Sequence, residues 1–153
     1  MSKTTTTTDP SNTLDVANCI CANLRKAARA VTQEYDAALR PAGLKPTQFT
    51  LLATLTRQGG TPLTQLADIM GMDRTTLTRN LKPLIRRELI HIAREGDQRV
   101  RKVTLTDNGA IVFEQALSLW QDVQKRISDK LDPEKWTDFL DTISLAVSAA
   151  RTG

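Results

Sequence analysis

The sequence predicts a mostly helical chain interrupted by one small β-hairpin, and three observations carry that prediction. Leu63 to Met70 is a short amphipathic run that stops at Gly71, and Asp73 stands ready as a fresh N-cap two residues later. Two helices separated by about three residues, with a glycine in the turn, have helix-turn-helix geometry. Behind the second helix, Leu89–Ala93 and Val100–Leu105 flank the turn cluster Glu95-Gly96-Asp97-Gln98, which is a hairpin signal. On both sides lie long segments whose apolar residues recur at helical spacing. The expected fold is mostly α with a small β-wing: a winged helix-turn-helix module joined to terminal helices.

In chain order, Met1–Asn12 offers almost nothing apolar to bury and reads as a disordered tail. Leu14 to Arg40 is a long helix with Ala17, Ile20, Cys21, Leu24, Ala28, Val31, Tyr35, Ala38 and Leu39 on one face, ended by Pro41 and Gly43. Thr47 to Thr56 is a second helix carrying Phe49, Leu51, Leu52 and Leu55, closed by Gly59-Gly60. Thr61 is expected to cap the third helix, with Pro62 as its first residue, where a missing N–H is no loss. The fourth begins at Arg74 and buries Leu77, Leu81, Leu84 and Ile85, while Pro83 predicts a kink or tightened turn. After the hairpin, Thr106 caps a helix to about Leu131, with Phe113, Ala116, Leu117, Trp120, Val123 and Ile127 on one stripe. Asp132-Pro133 starts a last helix with Trp136, Phe139, Leu140, Ile143, Val147 and Ala150. Trp120 and Trp136 are both expected in the core, and His91 as a partly exposed strand residue.

Charge is concentrated on the same module. From Arg74 to Lys102 nine bases oppose three acids, a net of +6 in a chain of +4, so the remainder is acidic by two. Beyond the buried stripe of the fourth helix lie Arg74, Thr75, Thr78, Arg79, Lys82 and Arg86, all hydrogen-bond donors and none acidic. Such a face suits a phosphate-lined major groove, and a basic patch on one module is a nucleic-acid footprint. Arg74 and Arg79 can fork onto guanine or clamp phosphate, and Thr75, Thr76 and Thr78 offer hydroxyls and methyls. Lys82 and Arg86 lie further along and suit phosphate, as do Arg101 and Lys102 in the return strand. Asp97, acidic at a DNA-facing tip, is suited to hold a wing arginine. An enzyme is not expected: the chain has one histidine, no phosphate loop and no Ser/His/Asp pattern. Cys19 and Cys21 form C-x-C, without the partners of a metal site, so no metal and no cofactor are expected. No apolar run approaches the roughly 18 residues of a membrane span and no signal peptide is visible, which predicts a cytoplasmic protein away from membranes.

The motif D-R-T-T-L-T-R-x-L-x-x-L from Asp73, followed by D-Q-R-x-x-x-V-x-L-T-x-x-G from Asp97 to Gly109, resembles the MarR family of bacterial winged-helix regulators. The resemblance spans Leu14 to the end. Glu88 stands where the family usually has glycine before the wing strand, and Pro83 is a second departure. The resemblance implies that Arg99 enters the minor groove and that the protein is a homodimer on an inverted repeat of double-stranded DNA, most readily as a repressor. The open apolar stripes point the same way: residues 13–42 and 107–151 would form a dimerisation region, and residues 46–106 the DNA-binding region.

The resemblance also implies a pocket for a small aromatic or anionic effector between the two regions. Leu24, Arg25, Arg29, Phe49, Leu52, Leu55 and Trp120 would line it, with Arg25 or Arg29 pairing an anion or else lying solvated. Cys21 occupies the place of the reactive cysteine of the organic-hydroperoxide-sensing branch, and Tyr35 matches one of its two partner tyrosines, but the second falls on Pro46. A thiol-based peroxide sensor is therefore one alternative, with packing as the bland role for both cysteines. A winged helix that binds a protein partner is the other.

Overall fold

The computed structural model describes residues 16–96 and 100–151. The tail expected over residues 1–12 and the wing-tip residues Asp97 and Arg99 lie outside them. The helices are α1 (Ile20–Leu39), α2 (Pro46–Gln58), α3 (Leu63–Met70), α4 (Arg74–Arg86), α5 (Asp107–Lys130) and α6 (Trp136–Arg151). The strands are β1 (Thr61–Pro62), β2 (Ile90–Glu95) and β3 (Val100–Leu105), and 3-10 turns occupy Val16–Asn18, Arg40–Ala42 and Pro133–Lys135. The small sheet has the order β1-β3-β2, both pairs antiparallel.

The first helix is shorter than its apolar pattern. Cys19 is extended, and the Asn23 amide donates to the carbonyls of Ala17 at 2.7 Å and Cys19 at 3.0 Å. A side chain that satisfies backbone acceptors in this way competes with helix continuation, so α1 starts only at Ile20. Its stripe is mostly open: Ile20, Leu24 and Val31 are exposed and only Leu39 is buried. The last helix is open too. Phe139, Leu140, Ile143, Leu145 and Val147 face solvent, and Trp136 is not in the core as expected but half-buried, ring against ring with Phe139 at 6.1 Å.

The core lies beneath the module. Leu51, Leu52 and Leu55 of α2, Leu66 of α3, and Leu77, Leu81 and Leu84 of α4 are essentially closed to water. Each withholds enough apolar surface to stabilise the fold by about 1.5–3 kcal/mol. Phe49 is stacked between Phe113 at 5.4 Å and Trp120 at 5.5 Å, which ties α2 to α5. Ile85 leaves the stripe: it is exposed, because three leucines already fill the space beneath α4. The helix continues through Pro83, whose ring supplies no N–H to the Arg79 carbonyl.

Thr61 is not a cap. It lies in β1 opposite Val103, buried, with its hydroxyl donating to the Gly59 carbonyl, and Pro62 becomes the N-cap of α3 with no side-chain hydrogen bond. Asp73 caps α4 and Thr106 caps α5, the latter accepting from the Gly109 N–H at 2.9 Å, while at the start of α2 the Gln48 side chain accepts from the Lys45 N–H at 2.9 Å.

Glu88 has φ of 54°, left-handed backbone, at the position where the family usually has glycine. A residue with a Cβ costs about 1 kcal/mol there, partly offset by glycine's greater freedom when unfolded. Glu88→Gly is expected to stabilise the protein by about 0.5–1 kcal/mol in chemical denaturation. An unchanged or lower midpoint would show that the Glu88 side chain compensates its own strain.

Candidate nucleic-acid interface

The interface is built on the start of α4. Asp73 Oδ1 accepts from the Thr76 N–H at 2.7 Å and Oδ2 from the Thr76 hydroxyl at 2.8 Å. The Thr76 N–H, and next its hydroxyl, hold the Asp73 carboxyl below its ordinary range. Folding therefore favours the ionised form, so the cap's contribution is present above the ordinary aspartate pKa and is lost as pH falls through the lowered one. Asp73→Asn keeps a good cap without a titrating group. It should flatten the fall of Tm between about pH 5 and pH 3, and an acid limb identical to wild type would remove Asp73 from that fall.

Just before the cap, Gly71 (φ 64°) closes α3 by donating its N–H to Ala67 and Asp68, and Met72 N donates to the Ala67 carbonyl at 2.9 Å. This left-handed closure sets the α3–α4 turn.

Arg74, Thr75, Thr78, Arg79 and Lys82 share one shallow concave face, with Arg86 exposed further along the helix. Among the described residues, the side chains of Arg74, Thr75, Arg79, Lys82 and Arg86 have no hydrogen bond or ion pair within the protein. Five donors left to solvent on one face are available to an outside acceptor.

The other two threonines differ from expectation. Thr76 is half-buried and its hydroxyl proton is taken by the cap, while Thr78 is exposed but donates to the Arg74 carbonyl at 2.7 Å. Thr78 thus retains its methyl and lone pairs, and only Thr75 keeps a free hydroxyl proton. Short hydroxyl side chains in a first turn bond locally before they reach outward.

The wing separates two residues that sequence reasoning grouped. Along β3 side chains alternate faces, so Arg101 and Lys102 point in opposite directions. Arg101 lines a notch of about 150 Å³ with Pro62, Leu63, Thr64, Arg74 and Val100, next to the uncapped start of α3. The half-buried Lys102 lays its methylenes over Gly60, where a Cβ would collide with them. Arg101 therefore shares the α4 face and Lys102 does not.

Arg94, counted only as charge in the sequence, sits directly opposite Arg101 in the β2–β3 ladder, and both are exposed. Like charges at opposed positions destabilise a ribbon, and an anionic partner relieves them. The signal was present as two arginines equidistant from the turn.

The effector set does not converge. Leu52 and Leu55 are sealed in the core, Phe49 and Trp120 are occupied by their mutual stacking, and Leu24, Arg25 and Arg29 are exposed early on α1. A concavity of about 500 Å³ lies instead at the α1–α2 corner, lined by Gln33, Asp36, Arg40, Gly43, Leu44 and Lys45. There Lys45 pairs with Asp36 at 3.3 Å.

Cys19 and Cys21 are free, exposed thiols. Tyr35 donates its hydroxyl to Gln124 of α5, and burial raises its pKa. Fourteen residues along α1 set Cys21 and Tyr35 about 21 Å apart in one chain, so the two do not meet there. Among the described residues no group of three metal-ligating side chains assembles, and no helix is long and apolar enough to cross a membrane.

A model of the MarR family matches residues 44–100. The transcriptional regulator MosR of M. tuberculosis, solved in complex with DNA, is 36% identical, with a TM-score of 0.77 over 87% of this chain and 98% of that one. The fold is shared with the PcaV regulator of Streptomyces coelicolor in complex with its natural ligand (22% identity, TM-score 0.83, 90% and 98% covered). It is shared also with the repressor CouR bound to a 23-mer DNA duplex (22% identity, TM-score 0.79, 92% and 98% covered). No curated protein sequence matches the chain.

Proposed function

This chain belongs to the MarR family of DNA-binding transcriptional regulators, and from that premise we propose that it is a repressor acting as a homodimer on an inverted repeat of double-stranded DNA. The observation that carries the reading is the donor face of α4, with Arg74, Thr75, Arg79, Lys82 and Arg86 unpaired within the described protein. In this reading α4 enters the major groove, Arg101 and Arg94 meet phosphate, and Arg99, held by Asp97, reaches the minor groove. The open stripes of α1 and α6 are covered by a second copy, which pairs residues 13–42 and 107–151 and leaves residues 46–106 to the DNA. Two recognition helices then read half-sites about one helical turn apart.

The protein works by binding and not by catalysis, in the cytoplasm where its operator lies. A small aromatic or anionic effector weakens DNA binding by favouring one dimer shape over the other. The α1–α2 corner, where Lys45 is paired with Asp36 and Arg40 lies on the rim, offers such a ligand one cation unpaired among the described residues.

The test is selection from a pool of random duplexes by the full-length protein, followed by gel shift and mass measurement of the complex. The retained duplexes should converge on an inverted repeat bound by two protein copies. Retention of duplexes without a repeat, or one copy per duplex, overturns the dimeric reading, and retention of none overturns the DNA reading.

A further inference from the structure

Arg87, the residue that ends α4, joins three parts of the fold. Its guanidinium donates through Nη1 to the Gly43 carbonyl at 2.5 Å and through Nη2 to the Ala42 carbonyl at 3.4 Å, 44 and 45 residues away. These carbonyls end the 3-10 turn that completes α1, where acceptors lack helical partners and the helix dipole is negative. Gly43 has no side chain, so the guanidinium lies against its backbone: a Cβ there would stand 3.4 Å from Nη2.

The same segment is tied on its other side. The Asn108 amide donates to the Arg87 carbonyl at 3.3 Å. The Thr106 hydroxyl donates to the Glu88 carbonyl at 2.6 Å, and the Thr106 N–H to the Leu89 carbonyl at 3.1 Å. Residues 87–89 are thus fastened to the end of α1 and the beginning of α5, while the Arg87 N–H closes α4 on the Pro83 carbonyl at 3.2 Å.

We propose that Arg87 is a positioning residue: its fork sets the angle of the recognition helix against the α1 and α5 rods, and thereby the spacing of half-sites the dimer accepts. The inference rests on the dimeric DNA reading above. A planar fork reaching two adjacent carbonyls fixes an orientation that a single ammonium does not. Arg87 is exposed, so the competing role is direct contact with a DNA phosphate.

The experiment uses the full-length protein, the duplex selected by the wild type, and two derivatives whose centre is one base pair longer or shorter. Dissociation constants are measured over a series of salt concentrations. The wild type should discriminate sharply among the spacers. Arg87→Ala should weaken binding to the original duplex about tenfold and compress the ratio between spacers several-fold. Its salt dependence should be unchanged, because no phosphate contact is lost. Arg87→Lys should fall between the two, and it supplies the same comparison if Arg87→Ala does not fold.

A salt slope shallower by about 0.9 with an unchanged spacer ratio would make Arg87 a phosphate contact and overturn the proposal. Lowered Tm with unaltered spacer ratios would reduce Arg87 to a structural tie, with the same consequence. If the wild type itself binds but ignores spacing, the half-site inference falls while DNA binding stands. If it binds no duplex, the functional reading falls and takes the inference with it.

Discussion

Gly109→Ala is expected to cost on the order of 3 kcal/mol of folding stability, the largest loss from one added methyl among the described glycines. A Cβ at position 109 would overlap the Leu89 carbonyl oxygen and approach Leu105 Cδ1 to 2.8 Å. The first obstacle is backbone, not a flexible side chain, so relief requires α5 to move away from the strand entry. That entry is fixed by the Thr106 bonds to Glu88 and Leu89, and Gly109 itself donates its N–H to Thr106. The strain is therefore not released by a side-chain rotation. Equilibrium urea unfolding of the wild type and variant measures it. A difference below about 1 kcal/mol would mean that the helix start slides freely, which the cap argues against.

The double variant Arg74→Ala/Arg79→Ala is expected to weaken binding to the selected duplex about a hundredfold, since each forked contact contributes about 1–3 kcal/mol. Both side chains are exposed, share the α4 face, and make no ion pair among the described residues, so their removal should leave Tm close to wild type. Loss of affinity with stability retained separates a lost contact from a damaged fold. Lys102→Ala provides the contrast: its side chain lies across Gly60 on the other wing face, and the variant should bind DNA within a few-fold of wild type. If Lys102→Ala matches the double variant in its effect, the assignment of the two wing faces is wrong.

The order of helices and hairpin was legible because each signal was local and strong. Asp73 and Thr106 formed the caps their residue types announce, and Gly71 closed α3 as a left-handed residue. Where the fold was misread, the deciding surface lay far away in sequence or outside the single chain. Thr61 reads as a cap until β3 is placed beside it and its backbone pairs with Val103. Trp136 reads as core by its spacing, but α6 lacks a packing surface within one chain that would close over it. On α4 the residue types were right and their availability was not, because Thr76 and Thr78 spend their protons inside the helix. Glu88 showed the reverse: a departure from the family pattern at a site that proved conformationally demanding.

If the wing docks on DNA as proposed, the opposed pair Arg94 and Arg101 makes the duplex a folding ligand for the wing as well as its target. Like charges at opposed positions of a ribbon are destabilising, so in the proposed complex phosphate oxygens on that face would relieve a cost that the free wing carries. By thermodynamic linkage, whatever relieves the repulsion raises the melting temperature in proportion to its preference for the folded wing. Added salt screens the repulsion and also weakens DNA binding, so the melting temperature of the free protein should rise with ionic strength while the extra stabilisation that a bound duplex confers should shrink.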